Sequence, residues 1–278
     1  MRIAVLMTCF NRKALTLTAL RLLMAGNEML DASVEIFLVD DGSRDGTSDA
    51  VRQEFPEIHL LQGDGSLYWN GGMRVAFAKA LSVGFDAYVL FNDDTLLIPG
   101  ALIRLVETAR QCEQTIGPTI VVGSMQDQKT GMHSYGGFVQ RTHGLHMELV
   151  PVPADPDKLV PCETMNANFV LIPAAAAAKL GNLESTFTHQ WADLDYGLRA
   201  TAEGIPIRIA PGYLGTCSDN PQTATWRDRT QPLSTRWRHL MSPKGAPVAE
   251  WIFYTRRHFG WRWPLYALSP YLKTLVGR

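Results

Sequence analysis

Short apolar runs alternate with amphipathic segments along the first half of the chain. The apolar runs are typical of strands buried in a parallel sheet, and they predict strands at Ile3–Met7, Glu35–Val39, His59–Leu61, Ala87–Phe91 and Thr119–Val122. The amphipathic segments between them predict helices at Lys13–Met24, Thr47–Glu54, Gly72–Val83 and Pro99–Cys112. Strands and helices in this repeating order predict an α/β fold with a mostly parallel sheet and right-handed crossovers.

The pattern changes after about residue 123. Glycines among alternating residues predict a hairpin or small antiparallel section within Met132–His146. Phe169–Ile172 predicts a further strand, followed by an alanine-rich helix that ends near Leu180. A helix over Ala192–Glu203, stopped by a glycine, and a short strand at Ile207–Ala210 complete this part.

Composition narrows the class of protein. The chain has 278 residues, of which 46% are hydrophobic and 19% charged, and this excludes a disordered chain, a fibrous repeat and a disulfide miniprotein.

No apolar run reaches the roughly 18 residues of a spanning helix. The apolar opening is too short for a signal peptide, because Asn11, Arg12 and Lys13 follow it directly. The four cysteines form no CxxC pair, so we expect reduced thiols in a cytoplasmic protein.

The charge is unevenly distributed, although the net charge is only −1. From Pro221 onward there are ten Lys and Arg against two acids, which leaves 16 basic and 25 acidic residues before it. We therefore predict two parts, a catalytic domain at 1–220 and a basic C-terminal helical extension at 221–278.

The first polar cluster follows the second predicted strand, in the sequence Asp40-Asp41-Gly42-Ser43. Taken alone it is an ordinary turn, and as a calcium loop it fails because Arg52 occupies the position of the bidentate glutamate. Two carboxylates at a strand end, beside the turn that begins at Thr8, favour a polar ligand site. A carboxylate there would accept from the imide of a pyrimidine base.

The second polar cluster is Asn92-Asp93-Asp94-Thr95, at the end of another apolar run. Adjacent acids there repel each other and lose solvation unless a cation or hydrogen-bond donors compensate. A helix N-cap near Pro99 would account for only one of the two. We therefore predict that Asp93 and Asp94 hold a hard divalent cation together with substrate phosphates.

Two further segments carry candidate chemistry. Gly63–Arg74 fails as a dinucleotide fingerprint, but Gly71 and Gly72 at a predicted helix start would offer N–H groups to an anion, with Arg74 nearby. In the segment from His189 to Arg199, Asp193 is the candidate general base. Asp195 is interpreted as an acid favoured by the helix dipole.

Together these motifs resemble the family 2 glycosyltransferases of GT-A fold, especially the bacterial branch with rhamnosyl- and other cell-surface polysaccharide transferases. The motifs are DDGS, WNGG, NDDT and ADLDYGLR, and the resemblance covers roughly residues 1–215. It implies an inverting transfer from a nucleoside diphosphate sugar, a UDP- or dTDP-sugar such as dTDP-rhamnose. The acceptor would be a polysaccharide or a lipid-linked oligosaccharide.

The resemblance also implies roles for individual residues. Thr8 and Asp41 would hold the base, Asp93 the ribose or diphosphate, Asp94 the Mn²⁺ or Mg²⁺ ion, and Asp193 would be the catalytic base. The nucleotide-sugar site is expected to comprise Thr8, Asn11, Arg12, Asp41, Trp69, Asn70, Gly71, Gly72, Arg74 and Asp93.

The sequence departs from the family pattern at two points. Ala192 precedes Asp193 where the family usually has glutamate, and the stretch Gly215–Asp219 lacks the histidine that often binds the metal. Asp219 or water would then replace that ligand. These departures keep open a sugar-nucleotide-binding protein without catalysis. A nucleotidyltransferase also uses paired acids and a metal, although the first strand is not followed by its glycine-rich loop.

The extension 221–278 contains five of the seven tryptophans, interleaved with basic residues. It is either a helical subdomain packed on the catalytic part or an amphipathic segment at a membrane surface. Arg256, Arg257 and Arg262 are the predicted contacts to anionic lipid in the second case. No RNA-binding motif accompanies the composition, so no nucleic acid is expected. A lipid-linked acceptor would place the protein peripherally on the inner face of the plasma membrane.

Overall fold

The computed structural model describes residues 1–25, 30–144, 146–218 and 225–276. Its strands are β1 (Arg2–Cys9), β2 (Ser33–Asp40), β3 (His59–Gln62), β4 (Ala87–Phe91), β5 (Leu96–Leu97), β6 (Ile120–Gln126), β7 (His133–Tyr135), β8 (Gly137–His143), β9 (His146–Val152), β10 (Val160–Cys162), β11 (Thr164–Met165), β12 (Phe169–Pro173) and β13 (Ile207–Thr216). Its helices are α1 (Lys13–Met24), α2 (Thr47–Glu54), α3 (Tyr68–Val83), α4 (Ala101–Thr115), α5 (Ala174–Leu180), α6 (Ala192–Ala202), α7 (Leu233–Leu240), α8 (Val248–His258) and α9 (Trp263–Leu275), with a 3₁₀ turn at Gly260–Arg262.

The main sheet confirms the predicted α/β fold. Its strand order is β10-β13-β6-β12-β4-β1-β2-β3. The four strands β3, β2, β1 and β4 are parallel, β12 runs antiparallel between β4 and β6, and β13 pairs parallel with β6. Buried apolar side chains cover both faces of this sheet, because helices pack on each side. The carboxyl ends of β1, β2 and β4 therefore lie at one edge, where ligands bind in such folds.

The predicted elements occur close to where the pattern placed them, although the bounds of most differ by a few residues. Three of the differences concern the ends that lie nearest to the candidate chemistry. The third helix begins at Tyr68, four residues before the predicted start, and the last predicted strand continues to Thr216. The fourth helix begins at Ala101 after a left-handed glycine, so neither Asp93 nor Asp94 caps it. The predicted hairpin is formed by β8 and β9, which belong to a second, three-stranded sheet with β11.

The C-terminal helices pack on α6 through a third apolar cluster. Trp251 and Tyr254 of α8 lie in it beside Phe187, Ala192 and Leu198. The aromatic side chains of α8 are therefore buried against α6 and the segment before it. The outer face of α9 remains exposed, with Leu265, Leu268, Leu272 and Leu275 on it.

Arg257 is a correction to the predicted lipid contacts. Its guanidinium forms ion pairs with Asp195 at 3.0 Å and with Glu184 at 2.8 Å. Because these bonds occupy it at the contact with α6, Arg257 is not available to a lipid headgroup.

Among the described helices, none is both long and apolar enough to cross a membrane.

Candidate functional site

The loops after β1 and β2 are bonded to each other at the edge where the parallel strands end. Asn11 receives a hydrogen bond from the Arg44 N–H at its Oδ1, at 2.8 Å, and its own N–H donates to Ser43 Oγ at 2.8 Å. The Ser43 N–H donates to Asp40 Oδ1 at 2.9 Å. Hydrogen bonds within the DDGS turn, and between this turn and Asn11, therefore hold the β1 and β2 loops together at the edge of the site.

Asp41, the predicted base-binding carboxylate, lies between the β2 and β3 loops. It is 3% exposed and accepts the N–H groups of Gly65 at 2.9 Å and Tyr68 at 3.0 Å. A Cβ on Gly63 would lie 2.5 Å from its Oδ1, so only glycine fits there. Asp41 thus holds the start of α3 against the β2 loop, and its contact with a base stays a prediction.

Two adjacent acids, Asp93 and Asp94, lie just after β4. Asp93 is 7% exposed, and the guanidinium of Arg12 bonds its Oδ1 at 3.2 Å and Asp94 Oδ2 at 2.7 Å. Burial raises the pKa of Asp93 to about 7, and Asp94 adds to the rise while Arg12 opposes it. Two acids at a strand end are thus stabilised by one cationic side chain that reaches over from the β1 loop.

A divalent cation fits this pair in part. Asp93 Oδ2 is buried without a hydrogen-bond partner, which leaves one oxygen available to a cation. In the part of the chain that the structure describes, no group of three His, Cys, Asp or Glu side chains could hold a metal ion. The residues therefore fit an ion bound by one or two carboxylates and completed by substrate phosphates.

Cys217 stands in the stretch that lacks the expected histidine. Its buried thiol donates to Asp94 Oδ1 at 3.7 Å and accepts from Asn168 Nδ2 at 3.4 Å. Burial and the nearby Asp94 raise the pKa of this thiol to about 12. The end of β13 thus touches the paired acids through a neutral thiol. Asp219, the other candidate ligand, lies outside the described residues.

Gly71 and Gly72 act through close packing, because α3 begins at Tyr68. The Gly71 N–H donates to the Leu67 carbonyl at 3.0 Å, so it is not free for an anion. A Cβ on Gly72 would lie 2.0 Å from Thr8 Oγ1. The absence of a side chain at Gly72 therefore lets α3 approach the end of β1, where Thr8 is 8% exposed.

The neighbours of these glycines hold other loops in place. Asn70 is fully buried, and its Nδ2 donates to the carbonyls of Glu184, at 2.9 Å, and Phe187. Arg74 Nε donates to the Leu183 carbonyl at 3.1 Å. Trp69 Nε1 donates to Asn92 Oδ1 at 2.8 Å, one residue before the paired acids. The WNGG motif thus connects α3 both to the acids and to the loop that leads towards α6.

Asp193, the predicted catalytic base, is half-buried in the first turn of α6. Uncharged groups supply its hydrogen bonds, from the N–H of Leu194 at 2.8 Å, the N–H of Ala167 at 3.3 Å and Asn166 Nδ2 at 3.4 Å. Burial raises its pKa above the ordinary value, and the backbone N–H groups oppose the rise only in part. A carboxylate with a raised pKa is a stronger base than an ordinary carboxylate.

The segment before β12 joins Asp193 to the paired acids. Ala167 donates to Asp193, and the Asn168 carbonyl accepts the Asn92 N–H at 3.1 Å. The side chain of Asn168 bonds Cys217, which touches Asp94. Three consecutive residues therefore hold the predicted base and the predicted metal ligands in one rigid frame. Sequence reasoning missed Asn166 and Asn168, which carry no motif of their own.

Asp195, two residues beyond Asp193, is fully buried and is bonded by two arginines and one histidine. It bonds Arg199 Nε at 2.9 Å, Arg257 Nη1 at 3.0 Å and His258 Nε2 at 2.8 Å. Burial alone would raise its pKa, but His258, Arg199 and Arg257 outweigh it and hold the pKa below the ordinary value. Asp195 lies in the first turn of α6, where the helix dipole favours an acid, and it also anchors α8 through its buried bonds to Arg257 and His258.

Backbone conformation also marks this region. Among the described residues other than glycine, Asn11, Tyr68 and Trp191 have positive φ, at 51°, 54° and 73°. Each stands at a loop of the site, and Trp191 directly precedes α6. Its ring packs on Trp251 and Tyr254, at centroid distances of 4.7 and 5.2 Å. Left-handed conformations of bulky residues persist when surrounding contacts enforce them, as at functional sites.

A family model described as glycosyltransferase-like family 2 matches residues 1–242 of the chain. An N-acetylglucosaminyl-diphospho-decaprenol L-rhamnosyltransferase of Mycobacterium tuberculosis (strain CDC 1551 / Oshkosh) is 23% identical over 261 residues, which cover 84% of this chain and 80% of that protein. An undecaprenyl-phosphate 4-deoxy-4-formamido-L-arabinose transferase of Sodalis glossinidius (strain morsitans) is 30% identical over 152 residues, or 52% of this chain and 45% of that one.

Among solved structures, a mannosyltransferase of Pyrobaculum calidifontis in complex with GDP-Man and Mn²⁺ has the same fold. The TM-score is 0.58 at 14% sequence identity, and the match covers 99% of this chain and 71% of that one. At this identity the likeness concerns the fold alone. It agrees with the GT-A architecture expected from the motifs.

Proposed function

Since the chain belongs to glycosyltransferase-like family 2 and is a glycosyltransferase, we propose that it moves one sugar, with inversion, from a nucleoside diphosphate sugar to a lipid-linked glycan. The reaction is proposed to need Mn²⁺ or Mg²⁺. The observation that carries this proposal is the frame of residues 166–168, which ties a carboxylate of raised pKa, Asp193, to the edge that carries Asp93 and Asp94.

In this proposal Asp193 removes the proton of the acceptor hydroxyl as the hydroxyl attacks the anomeric carbon. The bond to the diphosphate breaks on the opposite face, which inverts the anomeric centre, by the same geometry that inverting hydrolases apply to water. Within the described parts of the chain no cationic group bonds the Asp193 oxygens, and this supports the role, because an ion pair would lower the basicity of the carboxylate.

Asp94 and the unpartnered oxygen of Asp93 are proposed to hold the metal. The metal would neutralise the charge that develops on the departing diphosphate. Arg12 bonds both acids, and we propose that its guanidinium also bonds the same phosphates. Thr8 and Asp41 are proposed to face the nucleoside base, beside Asn11 and the start of α3.

The relatives suggest the substrates. The names of the two relatives include a polyprenyl diphosphate-linked sugar and a polyprenyl phosphate, and one of the relatives is an L-rhamnosyltransferase. We propose a UDP- or dTDP-sugar donor, with dTDP-rhamnose to be tested first, and an acceptor carried on a polyprenyl lipid. The enzyme would then work at the inner face of the plasma membrane.

A panel of nucleoside diphosphate sugars tests this function in two readouts. Thermal shift with and without Mn²⁺ reports binding, because a bound donor raises the melting temperature by mass action. Release of free nucleoside diphosphate reports turnover. Binding without turnover would leave a sugar-nucleotide-binding protein, and release of pyrophosphate would indicate a nucleotidyltransferase.

Asp94→Asn tests the metal role, with Asp157→Asn on the exposed β9–β10 loop as the matched control. We expect Asp94→Asn to abolish turnover and the Mn²⁺-dependent part of the thermal shift, because the diphosphate loses its counter-charge. Asp41→Ala is expected to weaken donor binding with or without Mn²⁺. Unchanged metal dependence in Asp94→Asn would contradict the assignment of this residue.

A further inference from the structure

The last helix, α9, has one face that nothing in the described chain covers. Leu265, Leu268, Leu272 and Leu275 recur at helical spacing and are between 55% and 59% exposed. Trp261, just before the helix, is 71% exposed. Positions three and four apart lie on one side of a helix, so these side chains form a continuous apolar stripe, and a stripe of this kind marks an interaction surface.

The opposite face of α9 fixes the direction of this stripe. Ala267, Pro270 and Thr274 are buried on that side. The tyrosines of α9 anchor it: Tyr271 donates its hydroxyl hydrogen to the Ala246 carbonyl at 2.8 Å, and the Tyr266 carbonyl accepts from Trp251 Nε1 at 2.9 Å. The stripe therefore faces outward from a helix that is held in place on α8.

The charge around the stripe identifies its partner. No acidic residue occurs from Trp251 to the end of the chain. Arg256 and Lys273 are exposed, and Arg256 and Arg262 stack on Trp263 and Trp261 with guanidinium-to-ring distances of 5.1 and 5.2 Å. Leucines flanked by tryptophan and basic residues are typical of helices that lie in the interface of an anionic bilayer.

From these observations we infer that the α9 face, defined as Trp261, Leu265, Leu268, Leu272 and Leu275, docks this enzyme on an anionic lipid membrane. With 13 residues, α9 is about 20 Å long, which is short of the roughly 30 Å bilayer core, so it lies in the plane of the interface. A second copy is a poorer partner, because a symmetric contact would bring two basic rims together.

The inference deepens the proposed function, because the lipid-linked acceptor is part of that proposal. The exposed apolar face of α9 is observed independently of the proposed function. Since α9 packs on α8 and α8 is bonded to α6 through Asp195, a membrane at the α9 face would stand at a fixed position relative to Asp193. The membrane would then present a lipid-linked acceptor to a site of constant orientation.

Cosedimentation of the full chain with vesicles tests the inference. The vesicles are phosphatidylcholine alone, or with about a third phosphatidylglycerol, at low and high salt. We expect binding to the anionic vesicles that weakens as salt screens the charges. Leu268→Gln with Leu272→Gln should lower the partition coefficient at least tenfold. Arg256→Gln with Lys273→Gln should lower it about thirtyfold on anionic vesicles, at about fivefold per basic residue.

The matched control is Val83→Gln with Ile116→Gln, two apolar residues of the catalytic part that are 46% and 42% exposed. These variants should bind vesicles like the unaltered protein. Absence of vesicle binding at low salt would overturn the inference, and so would an equal loss in the control. A dimer in analytical ultracentrifugation that the leucine variants dissociate would make the face a contact between copies.

Donor hydrolysis in lipid-free solution separates this inference from the proposed function. The α9 variants should retain it, because they lie outside the catalytic groups. Vesicle binding by a protein that turns over no sugar nucleotide would refute the proposed function and leave the docking surface standing. Turnover of a sugar nucleotide without vesicle binding would refute the docking surface and leave the proposed function standing.

Discussion

Asp193 and Asp195 lie two residues apart in the first turn of the same helix, and the fold gives them opposite surroundings. Uncharged donors hold Asp193, whose pKa is raised by burial. Two arginines and His258 surround Asp195, whose pKa is lowered although it is fully buried. One carboxylate has no ion pair among the described residues, and the other is neutralised by ion pairs. The difference shows that a residue's position in a motif does not fix its role, because partners from elsewhere in the chain decide it.

Asp193→Asn gives the largest expected effect. The substitution keeps the shape of the side chain and removes its basicity, so we expect sugar transfer to fall by about 10² to 10⁴. Donor affinity should survive, because the carboxylate is proposed to touch the acceptor. Transfer kinetics and donor titration by calorimetry measure the two quantities. A normal rate in Asp193→Asn would assign the base to another group.

Asp195→Asn should act on stability instead. Removal of one charge from a buried ion-pair network leaves the other charges uncompensated, and this costs about 3 to 5 kcal/mol. Urea unfolding should show the loss, while the turnover of the remaining folded protein stays near that of the unaltered enzyme. Full stability combined with a large loss of turnover would reverse the roles of the two acids.

Arg257→Gln tests the contact between α8 and α6, with Arg256→Gln, its exposed neighbour, as the matched control. Because the Arg257 side chain is 31% exposed, solvent screens part of its ion pairs. We expect a loss of about 1 kcal/mol in the free energy of unfolding for Arg257→Gln and little change for Arg256→Gln. In the Asp195→Asn background the effect of Arg257→Gln should shrink, and simple additivity in this double-mutant cycle would mean that the pair is not coupled.

The pH dependence should separate the two carboxylates as well. Asp193 must be unprotonated to act as a base, so kcat/KM should rise with pH through a pKa above the ordinary carboxylate value. Asp195 has a lowered pKa, so its contribution to stability is present above the unfolded pKa of about 3.9 and is lost as pH falls through the folded value. An acid limb of activity at an ordinary carboxylate pKa would argue against Asp193.

The local pattern was sufficient for the elements that carry their own signal. Lys13–Met24, Thr47–Glu54 and Ala87–Phe91 have the predicted bounds, since their amphipathic or apolar pattern and their turn residues are all contiguous. The motifs likewise indicated the family and the strand-end location of the candidate site. The helix that begins at Tyr68 was misplaced, because its start depends on an N–H bond to Asp41, 27 residues away.

Long-range contacts assigned the individual roles. The two acids of α6 look alike in the sequence, and only the approach of Arg257 and His258, 62 and 63 residues further on, separates them. Asn168 carries no motif, yet packing of β12 beside β4 places it against Asn92 and Cys217. Hydrophobic periodicity is a property of residues close together in the sequence, so helices and strands can be predicted from the sequence alone. Charge neutralisation in a buried site depends on which distant side chains fill it, and that follows from the packing of the whole molecule.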